Sequence, residues 1–96
     1  MEKSIHTEEY QLLVELLREA RENAKVTQVE LAERLQETQS EVSKAERGER
    51  RLDFIQLRSF CEALGISVLD LITEFERRLA QHKAQNRRGK GMKRAQ

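Results

Sequence analysis

The stretch Gln28–Gly48, which reads QVELAERLQETQSEVSKAERG, decides the fold of this 96-residue chain. In its first half, Leu31 and Leu35 recur at helical spacing and give one apolar face. The second half offers only Val42 and Ala45 to a core, and its other side chains are polar or charged. The pattern therefore predicts two short helices joined by a tight turn, with most of the second helix facing solvent.

The starts of the predicted helices share one local pattern. A hydroxyl or carboxylate residue can accept from a free backbone N–H of the first turn, and an acid three residues later can reach back to that residue's own N–H. The residues in this pattern are Thr27 with Glu30, Thr38 with Glu41, Ser67 with Asp70, and Asp53 as a cap alone. We therefore expect an all-α fold of five helices, beginning after Thr7 and then spanning Gln28–Leu35, Gln39–Arg47, Phe54–Leu64 and Val68–Lys83.

The composition favours helices and excludes several classes of protein. The chain has no proline, three Phe and one Tyr, while Leu, Ala, Glu, Arg, Lys and Gln dominate. The single cysteine excludes a disulfide framework within the chain and fits a reducing compartment. No apolar run approaches the roughly 18 residues that a membrane span needs, and the N-terminus has no apolar signal core. We expect a soluble, cytoplasmic protein with no membrane partner.

Charge is distributed unevenly along the chain. Residues 1–76 carry 10 Lys and Arg against 17 Asp and Glu, a net charge of −7, whereas residues 77–96 carry 8 basic residues and no acid. The expected segments are an N-terminal segment 1–7, a helical domain 8–83 and a basic flexible tail 84–96. Two interpretations of the tail stay open: a solvated, frayed end, or an arm whose residues from Arg87 to Arg94 contact phosphates.

The two short helices and their turn closely resemble the helix-turn-helix of the Cro and phage-repressor family, also called the XRE family. The resemblance extends from about Leu17 to Ile72. It is carried by Leu31, Ala32, Leu35, Val42 and the Glu46-Arg47-Gly48 ending. It implies a five-helix, lambda-repressor-like DNA-binding domain whose third helix enters the major groove. Lys25 and Gln36 depart from the family, which usually has glycine there, and left-handed geometry would cost each about 1 kcal/mol.

The resemblance also implies a set of DNA-contacting residues. Those on the base-reading face of the third helix are Gln39, Ser40, Ser43 and Lys44. Those matched to the DNA backbone are Gln28, Thr38, Arg47, Arg50 and Arg51. Gln28 is also expected to buttress Gln39. Arg21 and Glu46 match a structural ion pair between the first and third helices, and Glu49 has no evident role.

The fifth predicted helix carries a longer apolar stripe than a five-helix core needs. The stripe consists of Val68, Leu71, Ile72, Phe75 and Leu79. We expect Leu71, Phe75 and Leu79 to form a homodimer interface, because one recognition helix reads only a few base pairs and two-fold dimers read two half-sites. The alternative is that all five residues close the core of the monomer.

Catalytic or metal-binding patterns are not evident in the sequence. His6 and His82 have no Cys or His partners at ligand spacing, and Cys61 falls on the apolar side of the fourth helix. We therefore expect no enzyme activity, no metal and no cofactor. The leading hypothesis is a homodimeric repressor that binds double-stranded DNA in a prokaryote or phage.

Three other functions share the same motif. An antitoxin would bind a toxin and repress its own operon, and a restriction-modification controller protein would both activate and repress. Either function would add another protein, a toxin or a second regulator, as a possible partner. The acidic body gives modest support to a third alternative, a protein-binding role in which the helix-turn-helix does not contact DNA.

Overall fold

A computed structural model of the chain describes residues 7–90, with side chains described through residue 84. This part contains five helices and no strand: α1 (Glu8–Asn23), α2 (Gln28–Leu35), α3 (Gln39–Glu46), α4 (Phe54–Leu64) and α5 (Val68–Lys90). The predicted all-α fold of five helices is confirmed, and the predicted bounds of α2 and α4 are those observed. The helix α3 ends one residue before its predicted end at Arg47.

Side-chain caps fix the helix starts. Reciprocal capping boxes form at three of them: Thr27 with Glu30, Thr38 with Glu41, and Asp53 with Gln56. At α1 the Thr7 hydroxyl accepts from the Tyr10 amide, and at α5 the Ser67 hydroxyl accepts from the Asp70 amide. Replacing a cap of this kind with alanine costs about 1 kcal/mol. The caps therefore contribute strongly to α2 and α3, which have only eight residues each.

One hydrophobic core joins the five helices. Leu31 of α2, Val42 of α3, and Phe60 and Cys61 of α4 are at most 1 % exposed. Ala32 is also buried, and its small side chain suits the close packing of α2 against its neighbours. Burial raises the pKa of the Cys61 thiol, as expected for a core residue rather than a nucleophile.

Two non-glycine residues adopt left-handed backbone geometry where helices end. Lys25 follows α1 with φ 62°, and Gln36 ends α2 with φ 60°. These are the two positions where the sequence lacks the expected glycine. The turn after α2 stays closed, because the Glu37 amide still donates to the Ala32 carbonyl at 2.9 Å. The chain therefore tolerates about 1 kcal/mol of backbone strain at each position rather than opening the turn.

The helix α5 is longer than predicted. It continues to Lys90, seven residues past the predicted end at Lys83. Alanine, glutamine and arginine favour helices, and they make up most of the segment 84–88, so nothing interrupts the helix before Gly89. Residues 1–6, residues 91–96 and the side chains of 85–90 lie outside the described part. The predicted phosphate contacts of the tail, from Arg87 to Arg94, therefore concern side chains that are not described.

The inner side of α5 carries the three residues predicted for a dimer interface. Leu71 is 6 % exposed and belongs to the core, so the prediction that it faces a partner is wrong. Phe75 packs against the core, and Leu79 lines a groove between α1 and α5. The helical register turns these residues toward α1, whereas Leu69 and Ile72 are exposed on α5.

Ion pairs tie α5 to α1. The Arg78 guanidinium lies 2.9 Å from Glu19 of α1 and 2.7 Å from Glu74 of α5. The hydrogen bonds from Arg77 and Arg78 lower the pKa of Glu74 to about 2. Farther along, the His82 ring lies 3.1 Å from Glu8. These contacts hold α5 against the acidic helix α1 beyond the reach of the core.

Candidate nucleic-acid interface

The helix α3 has an inner and an outer side. Val42 and Ala45 are at most 1 % exposed on the inner side, where they anchor the helix in the core. Gln39, Ser40 and Lys44 are exposed on the outer side. Because these side chains are polar and exposed, the outer side is available to enter a groove of the size of the DNA major groove.

A buried ion pair fixes α3 against α1. Arg21 Nε lies 2.6 Å from Glu46 Oε2, and Arg21 Nη2 donates to Glu46 Oε1 at 3.0 Å. The side chains are only 12 % and 4 % exposed, respectively. Hydrogen bonding to Glu46 raises the pKa of Arg21, and burial opposes this shift. Arg21 also donates to the Val26 carbonyl at 2.9 Å, so the pair holds the α1–α2 connection close to the start of α2 as well.

This ion pair continues into a hydrogen-bonded chain that ends on the outer side of α3. Gln28 Nε2 donates to Glu46 Oε1 at 3.0 Å, and Gln39 Nε2 donates to Gln28 Oε1 at 3.1 Å. We call the four residues Arg21, Glu46, Gln28 and Gln39 the buttress network. It links a buried charge to an exposed amide through a single glutamine on α2.

The buttress network determines which way each amide points. A carboxylate only accepts hydrogen bonds, so the amide nitrogen of Gln28 must face Glu46 and its oxygen must face Gln39. Gln39 then uses one N–H on Gln28. Its amide oxygen and its second N–H remain available to a ligand, which is the donor and acceptor pair that recognises adenine in the major groove.

Two arginines that follow α3 in the sequence form ion pairs with glutamates of the same chain. Arg47 donates to Glu49 at 3.0 and 3.1 Å, and its third nitrogen donates to the Ser43 hydroxyl. Arg50 donates to Glu37 at 2.7 and 3.0 Å. These hydrogen bonds raise the pKa of both arginines. The Arg50 side chain is 21 % exposed against 52 % for Arg47, so Arg50 is directed toward the α2–α3 turn.

The loop after α3 is positioned by Tyr10, which the sequence analysis did not single out. The Tyr10 hydroxyl donates to the Arg50 carbonyl at 3.1 Å and accepts from the Leu52 amide at 2.8 Å. The Arg51 guanidinium stacks on the tyrosine ring, 4.6 Å from its centroid. Gly48 begins the loop with φ 78°, a geometry that favours glycine. The only signal for Tyr10 was that it is the one tyrosine of the chain.

Thr38 and Glu41 are engaged with each other at the start of α3. The Thr38 hydroxyl accepts from the Glu41 amide at 3.1 Å, and the Glu41 carboxylate accepts from the Thr38 amide at 2.9 Å. The hydrogen bond from the Thr38 backbone lowers the pKa of Glu41. Glu41 therefore caps the helix, although it lies beside the polar outer side.

The described residues contain no group of three His, Cys, Asp or Glu side chains arranged to hold a metal ion. Nor is any helix in the described range 7–90 long and apolar enough to cross a membrane. The residues predicted to contact DNA lie on α3, at the starts of α2 and α3, and in the loop after α3.

Comparison with known proteins agrees with this geometry. A family model described as helix-turn-helix matches residues 17–71, more than half of the chain. A solved XRE-family like protein from Pseudomonas syringae pv. tomato is 49 % identical, with 75 % of this chain and 88 % of that chain covered and a TM-score of 0.70. The clp gene regulator ClgR from Corynebacterium glutamicum is 36 % identical, with 79 % and 81 % covered and a TM-score of 0.70.

A more distant structure shares the fold alone. The restriction-modification controller protein C.Esp1396I is 17 % identical, with 78 % of this chain and 99 % of that chain covered and a TM-score of 0.73. No curated protein sequence matches the chain significantly. The family match and the 49 % identical structure lead to one assignment. The chain belongs to the XRE family of helix-turn-helix DNA-binding transcriptional regulators.

Proposed function

We propose that the chain is a homodimeric transcriptional repressor that reads a pseudo-palindromic operator with α3 of each subunit. The observation that carries this proposal is the buttress network. It holds Gln39 on the outer side of α3 through one N–H, and leaves the amide oxygen and the second N–H outside the network. A side chain held in this way loses little conformational freedom when it binds a base.

The outer side of α3 would read the base edges. Gln39 would accept from adenine N6 and donate to adenine N7. Lys44 is exposed one turn farther along and would donate to a guanine, with Ser40 beside it. The Ser43 hydroxyl accepts from Arg47 and keeps its own O–H to donate to a base.

The phosphates would be contacted on both sides of α3. Gln28 and Thr38 lie at the starts of α2 and α3, where backbone N–H groups and the helix dipole favour an anion. Arg47 and Arg51 are exposed beyond the end of α3. Arg50 donates to Glu37 from both terminal nitrogens and its side chain is only 21 % exposed, so we assign it to the positioning of the loop.

A second copy of the chain would complete the binding surface. Residues 1–76 carry a net charge of −7, and one α3 reads only a few base pairs, so tight binding calls for two half-sites about 34 Å apart. Leu69 and Ile72 support such a dimer, because they are 74 % and 39 % exposed and lie one helical turn apart on α5. They replace Leu71 as the residues on which we base the interface.

Selection of bound duplexes from a random DNA pool tests the proposal. We expect two inverted half-sites whose centres are about 10 base pairs apart, with an adenine that Gln39→Ala no longer selects. A reporter promoter that overlaps the selected site should lose expression when the protein is present. A single unpaired half-site, no enriched sequence, or activation of the reporter would contradict the proposal.

Sedimentation tests the dimer directly. We expect the wild-type chain to sediment as a dimer and both Leu69→Asp and Ile72→Asp to sediment as monomers. Val29→Asp is the matched control, because Val29 is also half-exposed but lies on α2. A wild-type monomer, or dimers in all three variants, would contradict the assignment of the interface to α5.

A further inference from the structure

The carboxylate of Glu49 forms an ion pair with the guanidinium of Arg47. Arg47 Nε and Nη2 donate to the two oxygens of Glu49 at 3.0 and 3.1 Å. This is the paired arrangement by which arginine also binds a phosphate. The third nitrogen donates to Ser43, so a phosphate that binds the paired edge formed by Nε and Nη2 must displace Glu49.

The pair is open to solvent and therefore easy to displace. The Arg47 and Glu49 side chains are 52 % and 50 % exposed. An exposed ion pair of this kind changes an equilibrium by only a few-fold, and salt weakens it further. A DNA phosphate can therefore replace Glu49, but the exchange lowers the net gain from the contact and leaves a negative charge beside the DNA backbone.

We propose that Glu49 sets the affinity for DNA by competing with phosphate for Arg47. This inference rests on the proposed function, because it assumes that Arg47 contacts DNA. The sequence did not reveal this role of Glu49. The competition lowers the affinity for any duplex, so contacts to bases must supply more of the binding free energy. The phosphate contacts alone then give weaker non-specific binding.

Glu37 differs from Glu49 although it also pairs with an arginine. The Arg50 and Glu37 side chains are 21 % and 22 % exposed, and the pair joins the α2–α3 turn to the loop after α3. Displacing Glu37 would leave a largely buried carboxylate without its partner, which is unfavourable. We therefore assign the competition to Glu49 alone.

Four variants of the full chain test the inference by fluorescence anisotropy. The probes are the duplex from the random-pool selection and a scrambled duplex of equal length, each titrated over a series of salt concentrations. Glu49→Gln is compared with Glu15→Gln, an exposed residue on the groove between α1 and α5 that loses the same charge. Arg47→Ala and Arg47→Ala/Glu49→Gln complete a double-mutant cycle.

We expect Glu49→Gln to bind both duplexes about three- to tenfold more tightly. The slope of log K against log salt concentration should be steeper by up to about 0.9. Glu15→Gln should stay within about twofold of wild type, since its charge lies away from α3. In the Arg47→Ala background, Glu49→Gln should bring no gain, because the competition needs Arg47.

Three outcomes would overturn the inference. Equal effects of Glu49→Gln and Glu15→Gln would mean that Glu49 acts only through the overall charge. A gain that persists without Arg47 would mean that Glu49 repels the DNA directly rather than competing for the arginine. If the wild-type chain binds neither duplex in a salt-dependent manner, the proposed function itself fails; in the first two outcomes it stands.

Discussion

The two sides of α3 each carry an arginine–glutamate pair, and the pairs have different environments. On the inner side, Arg21 and Glu46 are 12 % and 4 % exposed and lie between two packed helices. On the outer side, Arg47 and Glu49 are 52 % and 50 % exposed. The bonding is nearly the same in both, with two N–H groups on two carboxylate oxygens. The difference between the pairs is therefore solvent access.

Solvent access decides what each pair can do. A buried charge that loses its partner stays buried, so the inner pair is held together by the cost of separating it. An exposed charge that loses its partner is hydrated, so the outer pair can exchange one anion for another. The inner pair is suited to holding the buttress network in one geometry. The outer pair is suited to adjusting the strength of the contact that Arg47 would form with a phosphate when DNA binds.

The largest effect is expected when the inner pair is broken. Glu46→Ala would strand Arg21 and remove the acceptor of Gln28, so unfolding free energy should fall by about 3–5 kcal/mol. Urea denaturation measures the loss, and Glu49→Ala is the control, with an expected loss below about 1 kcal/mol. Similar losses in both variants would refute the role we give to burial.

The next effect concerns the exposed end of the buttress network. Gln39→Ala should weaken binding to the selected duplex by about 10- to 100-fold, because a bidentate contact to a base contributes about 1–3 kcal/mol. Binding to a scrambled duplex and the urea midpoint should stay close to wild type, since Gln39 is exposed. An equal loss of binding to both duplexes would show that Gln39 contacts the DNA backbone rather than a base.

Much of the fold could be predicted because the deciding signals are local. The capping boxes at Thr27 and Thr38 lie within four residues, and they define the starts of α2 and α3 correctly. The αL geometry of Lys25 and Gln36 has no local signal in the sequence, and only the resemblance, through the glycines usual in the family, marked the two positions. The direct pairing of Arg21 with Glu46 came from the resemblance rather than from local spacing, since the two residues are 25 positions apart.

The remaining features depend on contacts that local patterns do not contain. Both sides of α5 carry apolar residues, so the sequence could not rank Leu71 against Leu69 as the buried one. The partner of Glu37 lies 13 residues away, across α3, and only the folded loop brings Arg50 to it. Glu49 lies two residues from Arg47, but its pairing depends on the turn at Gly48.

A third pair sharpens the comparison, because its burial is intermediate. Glu37→Gln removes the charge that faces Arg50, and the expected loss of unfolding free energy is about 1 kcal/mol, between the values for exposed and buried pairs. Glu33→Gln on the exposed side of α2 is the matched control and should change stability by less than about 0.5 kcal/mol. If Glu37→Gln lowers the unfolding free energy no more than Glu33→Gln does, burial does not determine how much each of the three arginine–glutamate pairs contributes to stability.

The smallest effect is expected at the turn that joins α2 to α3. Gln36→Gly would relieve the left-handed strain at φ 60° but would also make the unfolded chain more flexible, so a net gain of about 0.5 kcal/mol is expected. Gly65 ends α4 in the same geometry at φ 73°, and Gly65→Ala should lose about 1 kcal/mol. Urea denaturation measures both variants. The Gln36 side chain is exposed and belongs to none of the three arginine–glutamate pairs, so DNA affinity should stay unchanged. A change in affinity would mean that the strained turn, and not burial alone, controls how α3 is presented.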